Sequence, residues 1–160
     1  MISPKNKQPI GWRSKIGVII PPRNTVNEAE FYQVTPDGVS YHFTRSPLHE
    51  DPSADDFKEM LDDVTSAMRD LAACNVNYAT YACTAGSMAC PSDRLLSAMT
   101  RSGNISANST AQAIVAALKT LGLKKIVMAS PYTSETNEHE AGYLADRGVK
   151  VLATAGLNLN

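Results

Sequence analysis

Ile16–Glu30 reads IGVIIPPRNTVNEAE, and Ile126–Glu140 reads IVMASPYTSETNEHE. Aligned without gaps, the segments share their first isoleucine, a proline five residues on, and a closing Asn-Glu-x-Glu. The offset from residue 16 to residue 126 is 110, and the same offset superimposes Gly38-Val39 on Gly148-Val149. The first copy starts with a short apolar run cut off by Pro21-Pro22, as expected of a buried parallel strand, and the second with a strand ending before Pro131. A polar stretch with helical character follows, then a glycine that opens a second strand. The two copies therefore read as a duplicated strand–helix–strand unit, and repeats of this kind decide a fold before any single element does.

Working outward, strands are expected at Lys15–Ile20, Val39–Thr44, Val76–Ala82, Ile126–Ser130 and Val149–Thr154. Helices are expected at Asn27–Gln33, from about Ala54 to Ala73, at Ser92–Arg101, after Ser109, and at Glu135–Arg147. The helix ending at Ala73 is the clearest, with Phe57, Met60, Leu61, Val64, Met68 and Leu71 three to four residues apart on one stripe. Ser53 is its expected N-cap, with Asp55 and Asp56 in the first turn, where the helix dipole favours anions. Ser109-Thr110-Ala111-Gln112 has capping-box spacing and opens a helix with Ile114, Ala117, Leu118 and Leu121 on one face, closed by Gly122. Alternation of strand and helix implies an α/β class with parallel-sheet, three-layer domains. The expected division is a flexible arm at 1–14, a first α/β unit at 15–106, and the start of a second, incomplete unit at 107–160. In the first unit a third strand leads to Cys83, whose counterpart would lie near position 193 (83 plus 110), beyond Asn160. The expectation is a fragment of a longer chain.

Composition narrows the function classes. The 160 residues are 43% hydrophobic and 19% charged, with a formal net charge of −1. That balance offers nucleic acid or an anionic membrane no electrostatic hold. No apolar run reaches the roughly 18–20 residues that span a bilayer. Three cysteines, Cys74, Cys83 and Cys90, cannot all pair within one chain, and they form no zinc-like grouping with His42, His49 or His139. A reducing, cytoplasmic setting is expected.

In open parallel sheets ligands bind beyond the carboxyl ends of the strands. Three segments converge there: Pro21–Thr25, Cys83–Ser87 and Pro131–Ser134. In YACTAGSMAC, Tyr81–Cys90, the strand stops at Cys83 and small residues follow. A helix start would lower the thiol pKa, and small neighbours would let backbone N–H groups approach a ligand oxygen. The alternative is a buried cysteine in a packed turn. Asn24 offers its amide to a carboxylate, or else an Asx turn. Tyr132 offers its hydroxyl, or else an amphipathic rim position. Arg23 reads as a surface arginine, Cys74 and Cys90 as structural, His42 as half-buried and satisfied, and His49 and His139 as solvated. Asp55, Asp56, Glu59, Asp62 and Asp63 read as the wet face of their helix.

GWRSKIGVIIPPRNTVNEAEF, YACTAGS, STAQAIVAALKTLG and ASPYTSETNE occur here in one order over Gly11 to about Leu159. In that order and spacing the chain resembles the maleate isomerase and arylmalonate decarboxylase family, within the aspartate/glutamate racemase superfamily. The resemblance implies two pseudosymmetric α/β domains with the active site between them, and no metal or organic cofactor. It implies a catalytic cysteine at Cys83, where the decarboxylases typically carry glycine. It places Asn24 and Tyr132 on the substrate carboxylate, with Thr84 and the backbone around Ala85 supplying further contacts. The family's second cysteine would fall beyond Asn160.

The reaction implied is a cofactor-independent, cysteine-based isomerisation of a small carboxylate or dicarboxylate, similar to maleate cis–trans isomerisation. Racemisation, arylmalonate decarboxylation, or a non-catalytic carboxylate-binding remnant are the alternatives. The expected partner is the small substrate, with neither nucleic acid nor membrane, and a homo-oligomer is compatible with the fold.

Overall fold

In the computed structural model, residues 9–49, 51, 53 and 55–159 are described. Residues 1–8 of the expected arm and the expected helix start at Ala54 lie outside them. Strand β1 (Ser14–Ile20) pairs in parallel with β2 (Val39–Arg45) on one side and β3 (Tyr78–Tyr81) on the other. A fourth parallel strand, β4 (Ser106–Ser109), completes a sheet of order β2-β1-β3-β4. A separate parallel pair joins β5 (Lys125–Ser130) to β6 (Lys150–Gly156). The helices are α1 (Asn27–Gln33), α2 (Lys58–Ala73), α3 (Thr84–Ala89), α4 (Ser92–Gly103), α5 (Thr110–Thr120) and α6 (Ser134–Ala145).

The duplication is physical. Ile16 pairs with Tyr41 and Ile126 with Val151, the same separation of 25 residues in both units. Gly38 and Gly148 each precede the second strand with φ of +82° and +83°. This left-handed backbone costs an L side chain energy that glycine avoids. The copies diverge at a register shift between Ile126 and Val127, which the β1–β2 pairing lacks.

Burial follows pairing. Val18, Ile19 and Ile20 in the doubly flanked β1 are fully buried. Ile19 packs in one apolar cluster with Met60, Val64, Met68 and Leu71 of α2 and with Leu95 and Met99 of α4. The expected α2 stripe is therefore the core face, with Phe57 and Leu61 half-buried at its margin. A second cluster joins Met88 of α3, Ala111 and Val115 of α5, Tyr143 and Leu144 of α6, and Val149. In β5 and β6, Val127 is 73% exposed and Leu152 is 58% exposed.

Several expectations need correction. Helix α2 begins at Lys58, because Asp56 and Phe57 adopt left-handed φ values of 58° and 63°. Its N-cap position is Phe57, not Ser53. Asp55 still serves the helix start, its Oδ2 accepting from the Glu59 N–H at 2.9 Å. The face of α5 is rotated: Ala111 and Val115 are buried, whereas Ala117 and Leu121 are exposed. The Ser109–Gln112 capping box is present, and Gly122 and Leu123 donate back to Lys119 and Leu118 in a Schellman closure. Strand β4 and helix α3 were absent from the sequence expectation. Among the described residues no helix is long and apolar enough to cross a membrane.

Substituting alanine at the two repeat glycines tests the pseudosymmetry. A Cβ on Gly148 meets nothing within 4 Å, whereas one on Gly38 would sit 2.4 Å from the Trp12 ring. Gly148→Ala should cost about 1 kcal/mol from backbone strain alone. Gly38→Ala should cost more, read as a lower denaturant midpoint at unchanged slope. Equal losses would show that Trp12 does not pack on Gly38 in solution.

Candidate active site

Because all six strands run in parallel pairs, the segments leaving β1, β3 and β5 come from carboxyl ends. A cleft of about 660 Å³ opens there, with Pro21, Tyr81, Cys83, Gly86, Tyr132 and Glu140 in its wall. Its other side is formed by the segment between β2 and α2, including Leu48, His49 and Phe57.

Cys83 is the N-cap residue of α3, in extended backbone conformation, and its carbonyl accepts from the Ser87 N–H at 3.0 Å. The turn is held from both sides. The Ala82 N–H donates to Ile19 at 2.8 Å, fixing the end of β3 against β1. Ser87, fully buried, donates its hydroxyl to the Thr84 carbonyl and accepts from the Ala111 N–H at 3.1 Å. Helix α3 is thereby tied to the start of α5. Gly86 is needed for space: a Cβ there would lie 2.9 Å from the Tyr81 hydroxyl oxygen and 3.2 Å from the Cys83 sulfur.

The thiol is not activated in the manner the sequence suggested. Burial pushes the Cys83 pKa up, and this outweighs the Gly86 backbone N–H and the Tyr81 hydroxyl, which both pull it down. Glu140 adds a smaller upward push. A helix of six residues supplies too few aligned N–H groups to win against desolvation. Burial also raises Tyr81, with Cys83 the next cause.

Tyr132 follows β5. The Ser130 hydroxyl accepts from the Tyr132 N–H at 3.0 Å and donates to Asn137 at 2.6 Å, so the loop is pinned to α6. Burial, then the nearby Glu140 and Cys83, raise the Tyr132 phenol, while the Thr84 side chain and Ala85 backbone lower it. Four of the five residues singled out from sequence, Cys83, Thr84, Ala85 and Tyr132, are thus neighbours. Asn24 is not in the cleft wall; its Oδ1 accepts from the N–H groups of Val26 at 3.1 Å and Asn27 at 2.9 Å, an Asx turn that starts α1.

Three cleft residues were missed. His49 is not solvated: it bonds Asp63 at 2.9 Å and Glu59 at 3.3 Å, with its side chain 19% exposed. His139 is exposed, as expected, yet it also lines the cleft, with Nε2 3.3 Å from the Met88 carbonyl. Glu140 is only 3% exposed, and its Oε1 is buried without a hydrogen-bond partner. The repeat carried a signal for Glu140, which matches Glu30, but Glu30 is exposed and a polar NEHE run reads as surface. Cys74 is exposed and Cys90 buried, with burial raising the Cys90 thiol to about 11. His42 is half-buried and bonded to Ser40 at 3.0 Å, as expected. Of the acidic residues on α2, Asp62 pairs with Lys58 and Asp63 with His49. Among the described residues no cluster could hold a metal ion.

The family model for arylmalonate decarboxylase matches residues 16–160. The chain belongs to the arylmalonate decarboxylase family. Solved structures with the same fold include a cysteine-to-alanine variant of the maleate isomerase Iso from Pseudomonas putida S16 with maleate, at 20% identity and a TM-score of 0.76 over 91% of this chain. Unliganded arylmalonate decarboxylase matches at 18% identity and a TM-score of 0.77 over 92%. A Nocardia farcinica maleate cis–trans isomerase variant with a covalently bound succinylcysteine intermediate matches at 21% identity and 0.77 over 91%. This member of the decarboxylase family spans about 64% of the length of these chains. No curated protein matches it.

The Tyr81–Cys83 contact gives a direct test. Tyr81→Phe removes a hydroxyl that lowers the Cys83 pKa. Alkylation of Cys83 by iodoacetamide, followed by peptide mass spectrometry, should then slow at pH 7.5 and reach half-maximum at a higher pH. An unchanged midpoint would show that the phenol does not reach the sulfur.

Proposed function

We propose that the protein is a cofactor-independent isomerase of a small dicarboxylate, with Cys83 as its nucleophile. The observation that carries this reading is the placement of Cys83. Its thiol stands at the carboxyl end of a central parallel strand, in a cleft shared with Tyr132, over a glycine that leaves it room. Thiol chemistry in the Nocardia farcinica isomerase, which carries a succinylcysteine intermediate, supports the same role here.

In the proposed reaction the Cys83 sulfur, as thiolate, bonds to one alkene carbon of a cis-dicarboxylate. The π pair moves to the neighbouring carbon, where the adjacent carboxylate delocalises it. The former double bond then rotates. The pair returns, the C–S bond breaks, and the trans product leaves with the thiolate regenerated. Tyr132, the Thr84 hydroxyl and the Ala85 N–H would hold a substrate carboxylate and its developing charge; of Asn24 only the Nδ2 amide would be free to contribute, because its Oδ1 starts α1. Because burial favours the thiol over the thiolate, Cys83 gives its proton to water of the open cleft before addition and takes one back after the product has left. At saturating substrate, turnover should therefore rise with pH as the thiolate fraction grows.

Residues 15–106 would form the unit carrying the nucleophile, and residues 107–160 the unit carrying Tyr132. Racemisation and arylmalonate decarboxylation use similar scaffolds and are separated by product.

The test uses the full-length protein with maleate. Proton NMR should show fumarate, and Cys83→Ala should reduce its formation by at least about 1,000-fold, with the melting temperature little changed. Acid-quenched protein should carry a succinyl-mass adduct on the Cys83 peptide. Full activity in Cys83→Ala would refute the thiol mechanism. CO2 release from phenylmalonate without fumarate formation would move the assignment to decarboxylation.

A further inference from the structure

Glu140 is a buried carboxyl that this mechanism does not use. It lies in α6 and forms part of the cleft wall beside Tyr132 and His139. Its residue exposure is 3%, and Oε1 is sealed from solvent with no hydrogen-bond partner among the described residues. Native folds rarely leave a buried carboxyl oxygen unpaired, and such a group calls for a missing partner. Its repeat counterpart, Glu30, is exposed on α1. The shared Asn-Glu-x-Glu motif therefore does not require burial, and burial at Glu140 is a property of the cleft.

We propose that Glu140 stands in the cleft as a neutral carboxylic acid and donates a hydrogen bond to a carboxylate of the bound ligand. This deepens the assignment above and rests on it. The physical argument is one of charge. An ionised Glu140 would place its charge near Cys83 and Tyr132, with no cation bonded to it among the described residues, and would repel a dicarboxylate. The protonated form removes the repulsion and offers an O–H to a carboxylate oxygen, a charge-assisted bond that is short and strong. Burial acts in the same direction, favouring the neutral form, with the adjacent His139 opposing it more weakly. The other titratable groups around the cleft are Glu135 on the same helix, and His49 and Asp51 on the opposite segment. His49 is already engaged by Glu59 and Asp63.

Glu140→Gln keeps the shape and a donor but cannot ionise, so it separates charge from packing. Binding of malonate and of succinate is measured by calorimetry from pH 5 to pH 8 for both proteins, and the ratio of their Kd values cancels the ligand's own ionisation. Native protein should lose affinity relative to Glu140→Gln by about tenfold or more as pH rises through the Glu140 transition. Melting temperatures supply an independent readout. A carboxyl with a raised folded pKa destabilises the fold increasingly as pH climbs above its unfolded value near 4.5. The Glu140→Gln protein should therefore gain on the native protein across that range. A pH-independent Kd ratio with clear binding overturns the Glu140 role and leaves the carboxylate site standing. A flat melting difference overturns the neutral acid. Absence of malonate and succinate binding in both proteins overturns the carboxylate site and this inference with it.

Discussion

Parallel pairing of β1 with both β2 and β3 is the constraint from which the rest follows. A parallel pair cannot close through a tight hairpin, so each strand must return by a crossover, and each crossover brings a helix onto the sheet. That covers β1 on both faces, which is why Val18, Ile19 and Ile20 are fully buried. It also sends the carboxyl ends of β1, β2, β3 and β4 to one side of their sheet. Cys83 owes its position to this directional rule, and Tyr132 reaches the same side through the second copy of the unit.

Within the cleft, burial rather than helix geometry governs the acid–base chemistry. Cys83, Tyr81, Tyr132 and Glu140 are all shifted toward their protonated forms, with burial the first cause in each. A site of neutral donors suits an incoming anion. These four groups present neutral donors to the cleft, while Glu135 and Asp51 stand elsewhere in its wall.

Much of this was legible in the chain because the informative segments are apolar and duplicated. The β1 and β5 runs, the α2 stripe and the glycine before each second strand are periodic or punctuated, and they fold as read. β4 escaped because Ser-Ala-Asn-Ser has no apolar alternation and joins the sheet through backbone bonds to β3. Helix α3 escaped because TAGSMA has weak intrinsic helix preference; it persists through Ser87, whose hydroxyl is shared with α5. The start of α2 moved because two residues before it take left-handed dihedrals, which nothing in Asp56-Phe57 foretells. Among the functional candidates, a cysteine closing a strand stands out in any reading. A glutamate in the polar NEHE run does not, since its burial is decided by α3 packing across from it.

Among the described residues the two sheets are held by different packing. The first sheet has four strands and an apolar cluster of its own, whereas β5 and β6 form a pair whose Val127 and Leu152 are largely exposed. Tyr132 and Glu140 are tied to the Cys83 turn through the second apolar cluster, in which Tyr143 and Leu144 of α6 meet Met88 of α3. The first core and the geometry of the cleft are therefore set by different contacts, and a substitution in one need not disturb the other.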